Sequence, residues 1–457
     1  MALVALATLT PVYAINAQDV SRLCLTRSLL ELRLSADTCL GTDWATDKAS
    51  HGGHLYSDKA PGMSALELPG AALAPVPDVQ SWPIESFRLW LPRVLSSGLA
   101  FLLCVFLVGR ICEGLAPGFG GVSLVVFGLG TFYAPFAVAN FEHVTAGTLG
   151  LAAFALAWRG RPALAGLTGG AALLVAYEAA LIVLIVAIYV ALQGGWALLN
   201  YARAVLPGAA LVSTYNWLAF GAPWHFSYHY IVGGNAVNQD SGFFGIHLPY
   251  VSAIEDVFFG RGGLFVISPV LVAAAYGLVL VGRRYRAEAI VCAGVAGTFF
   301  FLNCGYFAPY GGLSPGPRFL IPCLPFLAIG MSLAFRRFPG VTTIIAALSV
   351  IAATALTLTW PNLQPAPGTI WGRIVAVPVD LGSSTLLEHL TSNVIVLVGS
   401  TRAAGATLVV LAAAGALALS LAVAGGTQSP LRQLKRQVAD RNRNRPNPSV
   451  SRPPSST

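Results

Sequence analysis

Long apolar blocks dominate the chain after residue 88, and they repeat at about the length of a membrane-spanning helix. They fall at 90–110, 119–139, 143–158, 162–177, 179–194, 204–222, 263–282, 287–305, 318–335, 340–359 and 403–424. A shorter apolar run at 1–15 adds a first span, giving about twelve in all. That run lacks the basic start of a signal peptide; were it cleaved after Ala14, the segment from Ile15 onward would still lie outside. The blocks at 162–177 and 179–194 are short, and reading them as one tilted helix would invert everything downstream. The pattern predicts an all-α, polytopic membrane protein with one transmembrane domain over 1–424. Residues 16–88 form a first outer loop, and 223–262 and 361–402 are further outer loops. Within the first loop, Asp19 to Glu31 has the apolar spacing of an amphipathic helix lying on the membrane. Met63 to Val76 is apolar but interrupted by Pro69 and Pro75, and reads as a juxtamembrane or re-entrant piece.

Composition agrees. The chain is 56% hydrophobic and 10% charged, with mean hydropathy +0.70; soluble proteins carry about 25% charged residues. A β-barrel would show weak alternating segments of about ten residues, and these are missing. The preference for Arg over Lys, with much Ala, Gly, Leu and Val, suggests a high-GC bacterial genome. The net charge of +8 is unevenly spread. Arg110, Arg159, Arg161, Arg203, Arg283, Arg284, Arg286, Arg336 and Arg337 fall on the connections assigned to the inside, as the positive-inside rule requires. The tail 425–457, rich in Arg, Pro, Asn and Ser, reads as disordered and cytoplasmic. Its basicity reflects topology and attraction to anionic lipid, not nucleic-acid binding. No internal repeat is evident, which argues against a transporter built from inverted repeats.

Seven cysteines include no CxxC pair. Cys104, Cys112, Cys292, Cys304 and Cys323 lie in or beside apolar blocks as small hydrophobes. Cys24 and Cys39 share the first loop, and pair if that loop faces an oxidising compartment.

The polar residues that need a reason gather on the outer side. They are Asp19, Arg22, Asp47, Lys48, Tyr56, Asp58 and Lys59 in the first loop; Glu142 and His143; Tyr177 and Glu178; His225, Tyr228, His229, Tyr230, Asn235, Asp240, His247, Glu255, Asp256 and Arg261; then Tyr306, Tyr310 and Arg318. Lys59 stands out as one of few lysines, followed by Ala60-Pro61-Gly62 at the foot of the membrane domain. A charge held there by a Pro-Gly turn suits a lipid phosphate.

Four motifs carry a resemblance. Asp19-Val-Ser-Arg22 follows the first span. Tyr56-Ser-Asp58-Lys59-Ala60-Pro61-Gly62 resembles a Tyr-x-x-Lys-Pro-Pro segment, with Ala60 replacing the first Pro. Asn216-Trp-Leu-Ala-Phe-Gly-Ala-Pro-Trp224 leads to Tyr228-His-Tyr and Phe259-Gly-Arg261-Gly-Gly. Gly316-Pro-Arg318-Phe-Leu-Ile-Pro enters a late span. Together, over about residues 1–360, they resemble the GT-C superfamily of membrane glycosyltransferases, which includes the lipid A aminoarabinose transferases and protein O-mannosyltransferases. No paired Asp-Asp or Asp-Glu follows the first span, which departs from the named families. The resemblance implies a polyprenyl-phosphate sugar donor and a glycan, lipid or protein acceptor. It implies Asp19 as general base in an inverting transfer, and Arg22, Lys59 and Arg318 as the clamp on the leaving phosphate. Tyr56, Asp58, Glu142, His143, His229 and Arg261 are the further substrate-binding candidates. The site would face outward from an inner (plasma) membrane.

Plainer roles compete for these residues. Asp19 suits a helix N-cap. Arg22 would anchor a helix to headgroups, Lys59 would snorkel to the interface, and Arg318 would fix a loop by an ion pair. His225 and His229, or His51 and His54, have the spacing of a divalent-metal pair without a third ligand; no cofactor is otherwise implied. A transporter or lipid flippase would need ionisable residues near the bilayer midplane, which the spans almost lack. A non-catalytic subunit of an envelope-assembly complex would keep the fold and tolerate loss of Asp19.

Overall fold

The computed structural model describes residues 2–9, 16–41, 47–73, 86–233, 236–312 and 314–359. The expected outer loop 361–402, the span 403–424, the tail 425–457 and Asn235 lie outside these residues.

The described chain is almost wholly helical. The first helix is α1 (Ala2–Leu9). The first loop then holds α2 (Ala17–Leu30), α3 (Asp37–Leu40), the hairpin β1 (Lys48–His51) and β2 (His54–Ser57), and α4 (Gly62–Leu73). Next come α5 (Ser86–Arg93), which runs through a π turn into α6 (Leu99–Leu115), then α7 (Gly120–Gly130) and α8 (Ala134–Ala137). They are followed by α9 (Glu142–Trp158), α10 (Pro162–Val175), α11 (Ala179–Ala191) and α12 (Gly195–Phe220). After the short pieces α13 (Ala236–Gln239), α14 (Val251–Phe259) and α15 (Leu264–Ile267) come α16 (Val270–Gly282) and α17 (Arg286–Gly305). A 3-10 turn at Arg318–Cys323 leads into α18 (Leu324–Ala328), α19 (Met331–Arg337) and α20 (Pro339–Thr359).

Most expected spans coincide with helices, but fewer are continuous than the apolar pattern suggested. Among the described residues, Leu89–Leu115 and Arg286–Gly305 are long and apolar enough to cross a membrane. Two bent pairs, Val251–Ile267 with Val270–Gly282 (88°) and Arg318–Ala328 with Met331–Arg337 (55°), bring the number to at most four. The expected block at 119–139 breaks after Gly130, and hydropathy carries no mark of such breaks. Tyr177 and Glu178 form a turn between α10 and α11, so 162–194 is two helices.

Close approach is set by glycine where helices touch. A Cβ on Gly208 of α12 would lie 2.2 Å from the Gly170 carbonyl oxygen of α10, so only glycine permits this crossing. Likewise a Cβ on Gly62 would lie 2.4 Å from the Leu174 backbone. The turn after Lys59 therefore seats α4 directly on the end of α10. The main core unites α1, α6, α7 and α9 with α16 to α20 around Phe127, Phe132, Phe136, Phe154 and Phe326.

The helix directions separate two ends of the bundle. Arg159 and Arg161 lie between α9 and α10, Arg203 lies in the first half of α12, and Arg283, Arg284 and Arg286 lie at the α16–α17 turn. The opposite ends of α9 to α12 and α17 carry Glu142, Glu178, Asn216 and Asn303, and the first loop sits over them. Two backbone ladders tie that cover together. Ala49 bridges Ile231 with Val232 N–H donating to the Lys48 carbonyl (3.1 Å), and Ile246 bridges Tyr306 with His247 N–H donating to the Gly305 carbonyl (2.8 Å).

Candidate functional site

Helix α2 begins with a capping box. The Asn16 side chain accepts from the N–H groups of Gln18 and Asp19, and an Asp19 oxygen accepts from Asn16 N–H at 3.0 Å. The helix is buried over most of its length, beyond the one apolar face its spacing suggested. Asp19, Arg22, Leu23, Cys24, Leu25 and Thr26 are all buried, because α4 covers it. Thr26 Oγ donates to Glu67 of α4 (2.8 Å), and Ser64 Oγ donates to the Arg22 carbonyl (2.9 Å). Cys24 and Cys39 form a disulfide that fastens α2 to α3. Burial pushes the Asp19 carboxyl up to about 7 against the smaller opposing pull of the Asn16 N–H and Arg22, and pushes Glu67 to about 7 as well.

Beside this lies a cavity of about 900 Å³. Its charged end carries Asp47, Asp58, Lys59, Glu142, Glu178 and Arg318. Its apolar walls come from Leu173 of α10, Leu181 of α11, Val212 of α12, Phe299 and Leu302 of α17, and the loop residues Phe243 and Phe244. Tyr177, Asn216, Tyr228, Gln239, Asn303 and Tyr306 add neutral polar groups.

Most charges at that end are already matched. Lys59 Nζ lies 2.7 Å from Asp58 and 3.1 Å from Asp47. Ser21 Oγ also donates to Asp58 at 3.0 Å. Lys59 thus bridges two carboxylates at the cavity. Arg22 pairs with Glu142 and donates to the Gln18 side chain and the Asn140 carbonyl. Arg318 differs. Its guanidinium stacks on Phe141 and Phe319, 5.3 Å from each ring centre, and no carboxylate pairs with it among the described residues. Its Nε is buried without a hydrogen-bond partner.

The remaining expected residues divide. Asp58, Lys59, Glu142 and Arg318 line the cavity. Asp19 and Arg22 do not line it but stand directly behind, while Asn16, Ala17 and Gln18 of the same turn do line it. His143 is fully buried behind Glu178. Tyr56 does not line the cavity and packs on Phe220 (5.3 Å) in a small apolar cluster with Leu25, Tyr215 and Ala219. His229 is exposed against Phe244, and Arg261 is exposed; neither is at the cavity wall. Neither histidine pair belongs to a group of three or more candidate ligands among the described residues. His225 Nδ1 is engaged with Tyr230 Oη (2.8 Å) and the Phe220 carbonyl (2.9 Å). Among the described residues the group able to take a divalent cation is Glu142, His143 and Glu178, whose ligand atoms lie within 4.8 Å of one another. Sequence reasoning placed Asp47 and Glu178 on the outer side but not in the site. It missed Asn140, Gln239 and Asn303, which carry no motif.

No protein-family model and no curated protein matches this chain. Solved structures do. ArnT from Cupriavidus metallidurans bound to undecaprenyl phosphate is similar over 92% of this chain and 74% of its own, at 15% identity and TM-score 0.52. The same protein in its apo state gives 16% identity over the same shares, at TM-score 0.47. The Archaeoglobus fulgidus oligosaccharyltransferase in its apo form gives 13% identity over 83% of this chain and 53% of its own, at TM-score 0.42. At such identity the likeness is one of architecture, and the ArnT complex carries it. This chain therefore shares the fold of ArnT, the architecture to which the four sequence motifs pointed.

Proposed function

We propose that this protein is an integral membrane glycosyltransferase that moves a sugar from a polyprenyl-phosphate donor to a glycan, lipid or protein acceptor of the cell envelope. The observation that carries the reading is the cavity, which joins a charged end bearing Lys59 and Arg318 to apolar walls between α10, α11, α12 and α17. A lipid phosphate has that division of character. ArnT, which shares the fold, has been solved with undecaprenyl phosphate bound.

Arg318 and Lys59 hold the phosphate, with Arg22 behind them reinforcing the field. Asp58 and Glu142 set these cations in place. Asp19 is the general base. Its Oδ1 is unpartnered, its carboxyl titrates near neutral pH, and residues 16–18 of its own turn line the cavity. In this role Asp19 must reach the acceptor hydroxyl, which requires that turn to move when substrate binds. The hydroxyl loses its proton to Asp19 as its oxygen bonds to the anomeric carbon; the bond from that carbon to the phosphate oxygen breaks, polyprenyl phosphate leaves, and the centre inverts. The Arg-bearing turns at the opposite end support a site that opens at the outer face of the plasma membrane. The Cys24–Cys39 disulfide in the first loop accords with that side.

The test is transfer from radiolabelled polyprenyl-phosphate sugars in membranes. Asp19→Asn should lower turnover by about 100-fold or more, and Lys59→Ala should weaken donor use. Full activity in both variants would remove the site assignment, and absence of transfer from every such donor would remove the function.

A further inference from the structure

Four carboxylates line the charged end of the cavity, and three are matched by fixed cations: Asp47 and Asp58 by Lys59, and Glu142 by Arg22. Glu178 is the fourth. No Lys or Arg pairs with it among the described residues. Its one partner is the imidazole of His143, with Nδ1 3.5 Å from Oε1. His143 is itself fully buried, wedged against Phe141 (5.9 Å between ring centres) and Phe319 (5.5 Å). These are the two rings that carry the Arg318 guanidinium. Glu178, through His143, and Arg318 are therefore joined to the same pair of rings, and both line the cavity. One is a carboxylate without a fixed countercharge; the other is a cation without one.

We infer that Glu178, held in orientation by His143, is the residue that selects the donor sugar, accepting hydrogen bonds from its hydroxyls while the donor phosphate sits on Arg318. The inference rests on the reading of this cavity as the donor site. A hexose or pentose joined to a phosphate at Arg318 has its hydroxyls beside that phosphate, and Glu178 is joined to the same pair of rings through His143. Glu178 occupies the turn between α10 and α11, so its backbone is set by two helices and not by a free loop. A carboxylate already held by Lys or Arg has fewer lone pairs to offer; Glu178 keeps an oxygen for the ligand. A site built around a buried acceptor rejects a sugar lacking the matching hydroxyl, because the acceptor is then left unpaired.

The experiment compares purified wild type, Glu178→Gln and Glu178→Ala in nanodiscs. Donors are polyprenyl-phosphate glucose, mannose and arabinose and the monodeoxy analogues of whichever turns over. Wild type should favour the parent sugar over one deoxy analogue by about 10- to 100-fold in kcat/KM, and Glu178→Ala should bring that ratio close to one by losing rate on the parent alone. Glu178→Gln, which keeps size and an acceptor oxygen, should retain part of the ratio. A ratio unchanged in Glu178→Ala would overturn the inference while leaving the donor site intact. So would loss of wild-type activity with EDTA and its recovery with a divalent cation, since Glu178 would then serve as a metal ligand with Glu142 and His143. Failure of wild type to use any of these donors would overturn the underlying reading and the inference with it.

Discussion

Arg22 and Arg318 hold their guanidinium carbons 5.7 and 5.3 Å from the centre of one ring, that of Phe141, yet only Arg22 has a carboxylate partner. Their loss should therefore have opposite consequences. Arg22→Ala strands Glu142 at a position where water scarcely reaches it, and breaking a buried pair this way costs about 3–5 kcal/mol. The expected outcome is a clear fall in the thermal midpoint in detergent. Arg22→Ala combined with Glu142→Gln should regain part of it, whereas two additive losses would show that the pair does not act as a unit.

Glu67 gives a pH dependence. It is fully buried, and burial lifts its carboxyl from 4.5 to about 7, above the unfolded value. The protonated form is the one the fold favours. Its contribution to stability is complete below about 4.5 and is lost as pH rises through about 7. Glu67→Gln removes that loss and can still accept from Thr26. Wild type and Glu67→Gln should melt together near pH 5, with the variant ahead by up to about 3 kcal/mol at pH 8. A constant difference at both pH values would contradict the assignment.

The Cys24–Cys39 disulfide closes a segment with a sequence separation of 15 and fastens α2, which carries Arg22, to α3. Replacing both cysteines by alanine should cost about 3 kcal/mol. Since Asp37 of α3 also accepts from Leu55 N–H of the hairpin leading to Lys59 (2.6 Å), donor affinity should fall with it. Unchanged affinity in the stable fraction would show that the hairpin is positioned without the clasp.

Particular residues explain how far the sequence alone could be read. Helix α2 was legible from its apolar spacing, but its burial was not: Asp19 and Arg22 look like surface residues until α4 supplies Glu67 and Ser64 over them. The resemblance pointed to the Tyr56-to-Lys59 segment, of which Asp58 and Lys59 line the cavity. It could not say that Tyr56 packs away from the cavity on Phe220. Span breaks after Gly130 and at Ser268-Pro269 lie within apolar sequence, so hydropathy passes over them. Glu178 carried one signal, a Tyr-Glu pair between two apolar runs. That locates an outer turn, but only the packing of His143 against it gives it a role.

The central claim is that the cavity binds a polyprenyl phosphate through Arg318, the cation with no carboxylate partner. Equilibrium binding of labelled undecaprenyl phosphate to the purified protein in nanodiscs, with wild type and Arg318→Ala side by side, tests it most directly. The account predicts saturable binding by wild type and a Kd raised about 10- to 100-fold in Arg318→Ala, the value of a charged hydrogen bond lost. It also predicts little change in thermal midpoint, because no ion pair is broken. Equal affinity of the two proteins, or no saturable binding by wild type, would contradict it.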